Sequence, residues 1–167
     1  FIAAALLVFL ALLFLYEQFR IALAIMVAPM LAVGGVFTGL WLAGQTLNIT
    51  ALMGMIMIVG IVTEVAVFYF SELMVLRNST GAVPAPLSIP MLIDAGSNRI
   101  RPIAMTTLAA ILALLPLGLG LGQGSAMQQP LAVAIISGLV IQMPLVLIVM
   151  PVVYRLLLGR KALASPM

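Results

Sequence analysis

Two long stretches without a charged residue constrain this chain most strongly. Residues 21–63 form an uncharged run of 43 residues, and residues 102–154 form one of 53. A transmembrane helix needs about 20 mostly apolar residues, so each run has room for about two spans. Composition agrees, because 65% of the residues are apolar and 7% are charged, against about 25% charged in soluble domains. We therefore predict an all-α integral membrane protein.

Clusters of glycine and polar residues divide both runs. The first run breaks at residues 44–48, which read GQTLN, and the second breaks across residues 118–129, which read GLGLGQGSAMQQ. Such clusters are typical of turns between helices. The five transmembrane helices that we predict cover about residues 1–16, 21–43, 49–73, 102–118 and 130–157.

The remaining segments complete the predicted organisation. The helix bundle covers residues 1–161 and is followed by a cytoplasmic tail at 162–167. A cytoplasmic loop at 74–101 joins the third helix to the fourth, and its last part fits a short interfacial helix. The fourth helix is expected to begin at Pro102, since proline is favoured at the first helical position.

The positions of the cations predict the orientation. All seven Lys and Arg residues fall in connections on one side of the predicted bundle or near the end of its last helix, whereas the two opposite turns have none. Cytoplasmic loops carry an excess of Lys and Arg. We predict a multi-pass protein with its N-terminus outside the cell membrane and its C-terminus in the cytoplasm. Because the first helix begins at Phe1 without a flanking charge, we also expect the chain to be part of a longer protein.

Several kinds of chemistry lack the residues that they need. The chain has no Cys and no His, which excludes a disulfide framework and a Cys/His metal site. Its cations are scattered rather than clustered, which argues against binding to nucleic acid. An intramembrane hydrolase would lack a pair of catalytic carboxylates, since only one acid is predicted to lie inside a span. We predict a protein that is not an enzyme and uses no cofactor.

Methionine is the other candidate metal ligand, with 12 residues in the chain. Met53 and Met57 share one face of a helix, but Met55 points away from both. Three sulfurs therefore cannot converge on one ion, and we expect these side chains to fill gaps in the packing.

Glu64 is the one acid predicted deep inside a span. Glu72 and Asp94 lie near the cytoplasmic boundary, where we expect them to be solvated. Glu64 precedes Glu72 by eight residues, or about 12 Å along a helix. A charged side chain at such depth costs roughly 2.5–3.5 kcal/mol. Burial favours the protonated form of a carboxyl, so Glu64 is a candidate proton-binding site. The alternative is a structural carboxyl bonded to a neighbouring helix.

Thr106 is a candidate partner for Glu64. It follows Arg101 by five residues, which places it about 8 Å into the antiparallel fourth span. Its hydroxyl can bind either the Glu64 carboxyl or the carbonyl four residues earlier in its own helix.

Three stretches resemble the membrane domain of resistance–nodulation–division (RND) efflux permeases. Residues 15–35, LYEQFRIALAIMVAPMLAVGG, are similar to the junction between the family's eighth and ninth helices, and residues 57–72, MIVGIVTEVAVFYFSE, are similar to its tenth. Residues 99–139, RIRPIAMTTLAAILALLPLGLGLGQGSAMQQPLAVAIISGL, match the eleventh helix, the next loop and the start of the twelfth. The resemblance covers about residues 1–161.

The resemblance implies a function and partners. The family's members are proton-driven exporters of drugs, other amphiphiles or metal cations. They form homotrimers in the inner membrane and work with a periplasmic adaptor and an outer-membrane channel. By the motif match, Glu64 and Thr106 occupy proton-relay positions on the tenth and eleventh helices, and Arg99 matches an arginine at the cytoplasmic mouth. No metal site is carried over.

One position departs from the multidrug pattern. Multidrug members usually have lysine or an asparagine pair where this chain has Glu64, and an acid there is more like the heavy-metal branch. Two hypotheses follow for the chain. In one it is the C-terminal transmembrane part of a transporter, next to the remainder of the permease chain, with Glu64 as a proton site. In the other it is a structural or assembly subunit, with Glu64 as a packing carboxyl.

Overall fold

All regular secondary structure is helical in the computed structural model, which describes residues 2–17, 19–79, 89–122 and 124–158. The α-helices of these residues, labelled in chain order, are α1 (Ile2–Tyr16), α2 (Phe19–Leu42), α3 (Ile49–Ser79), α4 (Ile89–Gly118), α5 (Gln129–Pro144) and α6 (Met150–Leu158). A π-helical turn at Leu145–Val149 joins α5 directly to α6. The predicted all-α class is therefore confirmed, with α5 and α6 forming the fifth helix.

Four of the helices are long and apolar enough to cross a membrane. They are Ile21–Leu42, Ile49–Asn78, Pro90–Gly118 and Gln129–Val153. The first predicted span corresponds to a shorter apolar helical segment, Leu6–Tyr16. The predicted tail at 162–167 lies outside the described residues, as does the part of the predicted loop at 80–88.

Glycines end both of the helices that precede the predicted turns. After α2, Gly44 adopts a left-handed φ of +64°. The Gln45 amide then donates to the Leu40 carbonyl at 2.9 Å and the Gly44 amide to the Trp41 carbonyl at 3.1 Å. This is a Schellman motif, in which glycine avoids the strain of a left-handed residue with a Cβ atom. The predicted turn at 44–48 is thus explained by one residue.

The same device ends α4. Gly120 has a φ of +72°, and the Leu121 amide donates to the Pro116 carbonyl at 2.9 Å. The Gln129 side chain then fixes the start of α5 to the end of α4, because its Nε2 donates to the Gly118 carbonyl at 3.0 Å.

The start of α4 differs from the prediction. The sequence analysis began the fourth helix at Pro102, whereas α4 begins at Ile89 and continues through that proline. A proline inside a helix removes one backbone hydrogen bond. Contacts of the preceding turns with α3 offset that loss: the Tyr69 hydroxyl, for example, donates to the Leu92 carbonyl at 3.1 Å. The segment proposed as an interfacial helix is therefore continuous with the fourth helix.

Small residues let α5 pack closely against its neighbours, α2, α3 and α4. A Cβ atom built at Gly39 of α2 would overlap the Cβ atom of Ser137 in α5. One built at Gly138 of α5 would lie 2.6 Å from the Cδ1 atom of Ile58 in α3. Close approach at small residues replaces the hydrophobic driving force that helices lack in lipid. Not every glycine of α2 lies at such a contact, because a Cβ atom built at Gly34 would meet no other atom within 4 Å.

The close contacts also give the helix directions. Gly54 lies near Ala134 and Ile58 near Gly138, so α3 and α5 run the same way. Gly118 of α4 lies near residues at the start of α5, and Gly96 lies near Leu147 in the π turn beyond its end. α4 therefore runs antiparallel to both α5 and α3.

We predict that Gly39→Ala lowers the free energy of unfolding by about 1–3 kcal/mol, because the new methyl group meets the rigid Cβ atom of Ser137. SDS-driven unfolding of the purified full-length protein in mixed micelles measures the change. The control is Gly34→Ala, which adds the same methyl group where space is open and should leave stability unchanged or slightly higher. Equal losses in both variants would contradict this packing.

Candidate functional site

Glu64 lies on the exposed face of α3. Its neighbours along the helix, Thr63 and Val65, are buried, whereas Met57 and Gly60, which share its face, are exposed. Glu64 is exposed as well, although it lies within the apolar span Ile49–Asn78. None of the hydrogen bonds or ion pairs formed among the described residues involves this carboxylate.

Thr106 bonds to its own helix rather than to Glu64. Its hydroxyl donates to the carbonyl of Pro102 at 3.0 Å and has a second contact of 3.1 Å with the carbonyl of Ile103. Of the two alternatives set out for this hydroxyl, the structure contains the one within the helix. Both Thr106 and Glu64 are exposed, so neither side chain is drawn into the interior of the bundle.

Arg99 forms an ion pair that links α4 to α3. Its Nη2 lies 2.9 Å from Oε2 of Glu72. The Asn98 side chain donates from Nδ2 to Oε1 of the same carboxylate at 3.1 Å. The guanidinium carbon lies 5.8 Å from the ring centroid of Phe68, within the range of a cation–π contact. Arg99 thus contacts Glu72 and Phe68 on α3, and Asn98 binds the second oxygen of the same Glu72 carboxylate.

Glu72 corrects the sequence analysis, which expected this carboxylate to be solvated. Its side chain is only 20% exposed, and that of Arg99 is 29% exposed. The pair joins residues 27 positions apart, so no local spacing in the sequence reveals it. Asp94, the other acid expected in solvent, is exposed.

The ion pair provides a reference for the depth of the other two residues. Glu64 precedes Glu72 by eight residues and Thr106 follows Arg99 by seven. At the helical rise these separations are about 12 Å and about 10.5 Å. Because α3 and α4 are antiparallel, both residues lie on the same side of the ion pair. The three predicted site residues therefore fall along neighbouring helices, although no hydrogen bond joins Glu64 to Thr106.

Two other buried residues each have one polar atom without a partner. Thr107 is 6% exposed and Gln142 is 1% exposed, and neither Oγ1 of Thr107 nor Oε1 of Gln142 makes a hydrogen bond within the described part of the chain. The sequence analysis did not single out either residue. Gln142 stands out in the sequence only as a polar residue in an uncharged run.

Metal ligands are dispersed in the part of the chain that the structure describes. No group of three or more His, Cys, Asp or Glu side chains occurs there in reach of one ion. Met53 and Met57 are both exposed on α3, whereas Met55 is buried, as the helical spacing predicted.

Comparison with known proteins identifies the family. The sequence pattern of the AcrB/AcrD/AcrF family matches residues 1–158. The chain therefore belongs to this family of RND efflux permeases.

A curated relative and two solved structures support this assignment. The chain is 34% identical over 157 residues to the swarming motility protein SwrC of Bacillus subtilis (strain 168). This match covers 93% of the chain and 14% of SwrC. Two crystal forms of a heavy metal efflux pump match it with TM-scores of 0.78 and 0.72, at 29% and 31% identity. These matches cover 93% and 90% of the chain but 15% of each pump chain. The chain thus spans about a seventh of the length of these relatives.

We predict that Thr107→Val raises the free energy of unfolding by about 1 kcal/mol, because it removes a buried hydroxyl that has no partner. Thr63→Val is the matched control: that hydroxyl is also buried but donates to the Val59 carbonyl at 2.7 Å. It should leave stability unchanged or lower it. SDS-driven unfolding measures both variants. A loss of stability in Thr107→Val would contradict the conclusion that the Thr107 hydroxyl has no hydrogen-bond partner.

Proposed function

We propose that the chain is the C-terminal transmembrane part of a proton-driven RND efflux permease, corresponding to its eighth to twelfth helices, and that Glu64 binds and releases the transported proton. One observation carries the proposal: a carboxyl group within an apolar span faces outward from the described helices and has no partner among them. A charged group at that depth costs several kcal/mol unless it meets protein or water. In the full-length permease, we infer, the remaining helices cover this face.

Glu64 suits proton transfer because of where it lies. A carboxyl group in an apolar, partly dehydrated environment changes its charge when it gains or loses a proton, and that change alters its interactions with nearby helices. Acids inside spans are characteristic of proton relays in transporters. Thr106 lies on the neighbouring helix at a similar distance from the ion pair, and we propose its hydroxyl as the relay partner of Glu64. Arg99 is the polar residue of the cytoplasmic mouth.

The orientation that we propose follows from the cations. The described cations Arg77, Arg99 and Arg101 all lie near the end of α3 or in the first half of α4, which the positive-inside rule assigns to the cytoplasm. The N-terminus of the chain would then be periplasmic and its C-terminus cytoplasmic. We propose the inner membrane as the location, with the permease as a homotrimer that works with a periplasmic adaptor and an outer-membrane channel.

The proposed substrates are drugs and other amphiphiles or metal cations. The solved relatives are described as heavy metal efflux pumps, and the acid at position 64 is more like that branch. A transport assay with both substrate types distinguishes them: Ag⁺ and ethidium are supplied in parallel to proteoliposomes that contain the full-length permease.

We predict that Glu64→Gln abolishes efflux driven by an imposed pH gradient, because glutamine keeps the size and polarity of the side chain but cannot exchange a proton. The measurement is uptake of Ag⁺ or ethidium into inside-out proteoliposomes after a pH jump. Asp94→Asn, which removes an exposed acid, is the control and should transport normally.

Wild-type transport by a folded Glu64→Gln variant would overturn the proton role. It would instead favour the second hypothesis, in which the chain is a structural or assembly part of the membrane complex and Glu64 is a packing carboxyl.

A further inference from the structure

The ion pair between Glu72 and Arg99 is more firmly built than a surface pair. Both carboxylate oxygens of Glu72 are engaged, one by Arg99 at 2.9 Å and the other by Asn98 at 3.1 Å. Phe68 lies on the same helix as Glu72, and its ring centroid is 5.8 Å from the guanidinium carbon of Arg99. The Nε atom of Arg99 is buried and makes no hydrogen bond among the described residues, so Glu72 and the Phe68 ring are the groups that hold the guanidinium. Holding both groups in one geometry makes their charges cancel at a fixed place.

That place is close enough to Glu64 for the charges to matter. Glu72 lies two helical turns from Glu64, or about 12 Å along α3. Across such a distance in a membrane protein, a unit charge that has no counter-charge measurably changes the equilibrium between the neutral and the ionised form of Glu64. A balanced pair leaves that equilibrium nearly unaffected.

Few other charges compete with the pair. α5 carries no charged residue, α2 carries Arg20 as its second residue, and α4 adds Asp94 and Arg101, both exposed. On α3 the other cation is Arg77, five residues beyond Glu72 and farther from Glu64. The titratable groups of the α1 end are Tyr16, whose hydroxyl donates to the Val67 carbonyl at 3.0 Å, and the exposed Glu17.

We propose that Glu72 is a positioning residue for the proton site: it holds the Arg99 guanidinium between α3 and α4, cancels its charge, and so sets the pH range over which Glu64 exchanges protons. This inference rests on the proposed function of Glu64. It assigns a role to a carboxylate that the motif match leaves without one. Glu72 need not touch the transported proton, since it acts through Arg99.

Two variants, each of which removes the charge of one member of the ion pair, should move the protonation equilibrium of Glu64 in opposite directions. Glu72→Gln leaves the Arg99 cation unbalanced, which favours the ionised carboxyl, so the pH midpoint should fall. Arg99→Gln leaves the Glu72 anion unbalanced, so the midpoint should rise. We expect each shift to be about half a pH unit to one pH unit. The double variant Glu72→Gln/Arg99→Gln has no unbalanced charge and should return close to the wild-type midpoint.

The measurement is infrared spectroscopy of the full-length permease in lipid vesicles during a pH titration, without a transported substrate. The band of the protonated Glu64 carboxyl is the one that disappears in Glu64→Gln. Asp94→Asn is the matched control: it also removes one negative charge from this end of the bundle but breaks no ion pair, and its midpoint should stay near that of the wild type.

The outcomes separate this inference from the proposed function. Opposite shifts in the single variants, with recovery in the double variant, support it, and either single variant suffices if the other does not fold. A Glu64 band that titrates with the same midpoint in every variant, or moves in the same direction in both, overturns the role of Glu72 alone. A Glu64 carboxyl that never titrates overturns the proton site itself, and the role of Glu72 with it.

Discussion

The absence of water in the core of a bilayer is the constraint from which this structure follows. Each backbone amide and carbonyl must find its partner within the protein, so the described spans are helices throughout. Several side-chain hydroxyls obey the same rule: Thr38, Thr63 and Ser137 each donate to a carbonyl one turn earlier in their own helix. An ionised Glu64 cannot be satisfied in this local way, because a carboxylate only accepts hydrogen bonds and backbone carbonyls only accept them as well.

Close packing around α5 determines which faces remain open. Gly39, Gly54 and Gly138 bring α2 and α3 against α5 with little space for further atoms, so the buried faces of these helices are committed to one another. Most of α4 and one face of α3 are left exposed. Glu64 lies on that open face of α3, and the Glu72–Arg99 pair closes the junction of α3 and α4 at one end. The packed face of α3 and the proposed proton site therefore lie on opposite sides of the same helix.

Much of the fold was predictable because it depends on local sequence. Long uncharged runs required spans, and glycines such as Gly44 and Gly120 ended helices where the turns were predicted. The start of α4 was not predictable, because contacts with α3 carry the helix through Pro102. The motif match singled out Glu64, Thr106 and Arg99, and the structure arranges them along neighbouring helices. Glu72 was missed for a different reason: its partner lies on another helix, and only tertiary packing brings the two together.

Chemical labelling of Glu64 in the full-length permease tests the central claim most directly. Dicyclohexylcarbodiimide is apolar and reacts with protonated carboxyls, so it distinguishes an intramembrane proton-binding acid from one held ionised in an ion pair. We predict that peptide mass spectrometry finds the label on Glu64, that labelling falls as the pH rises, and that Glu72 stays unlabelled. Labelling of Glu64 that does not change with pH, or its absence at every pH, would contradict the account.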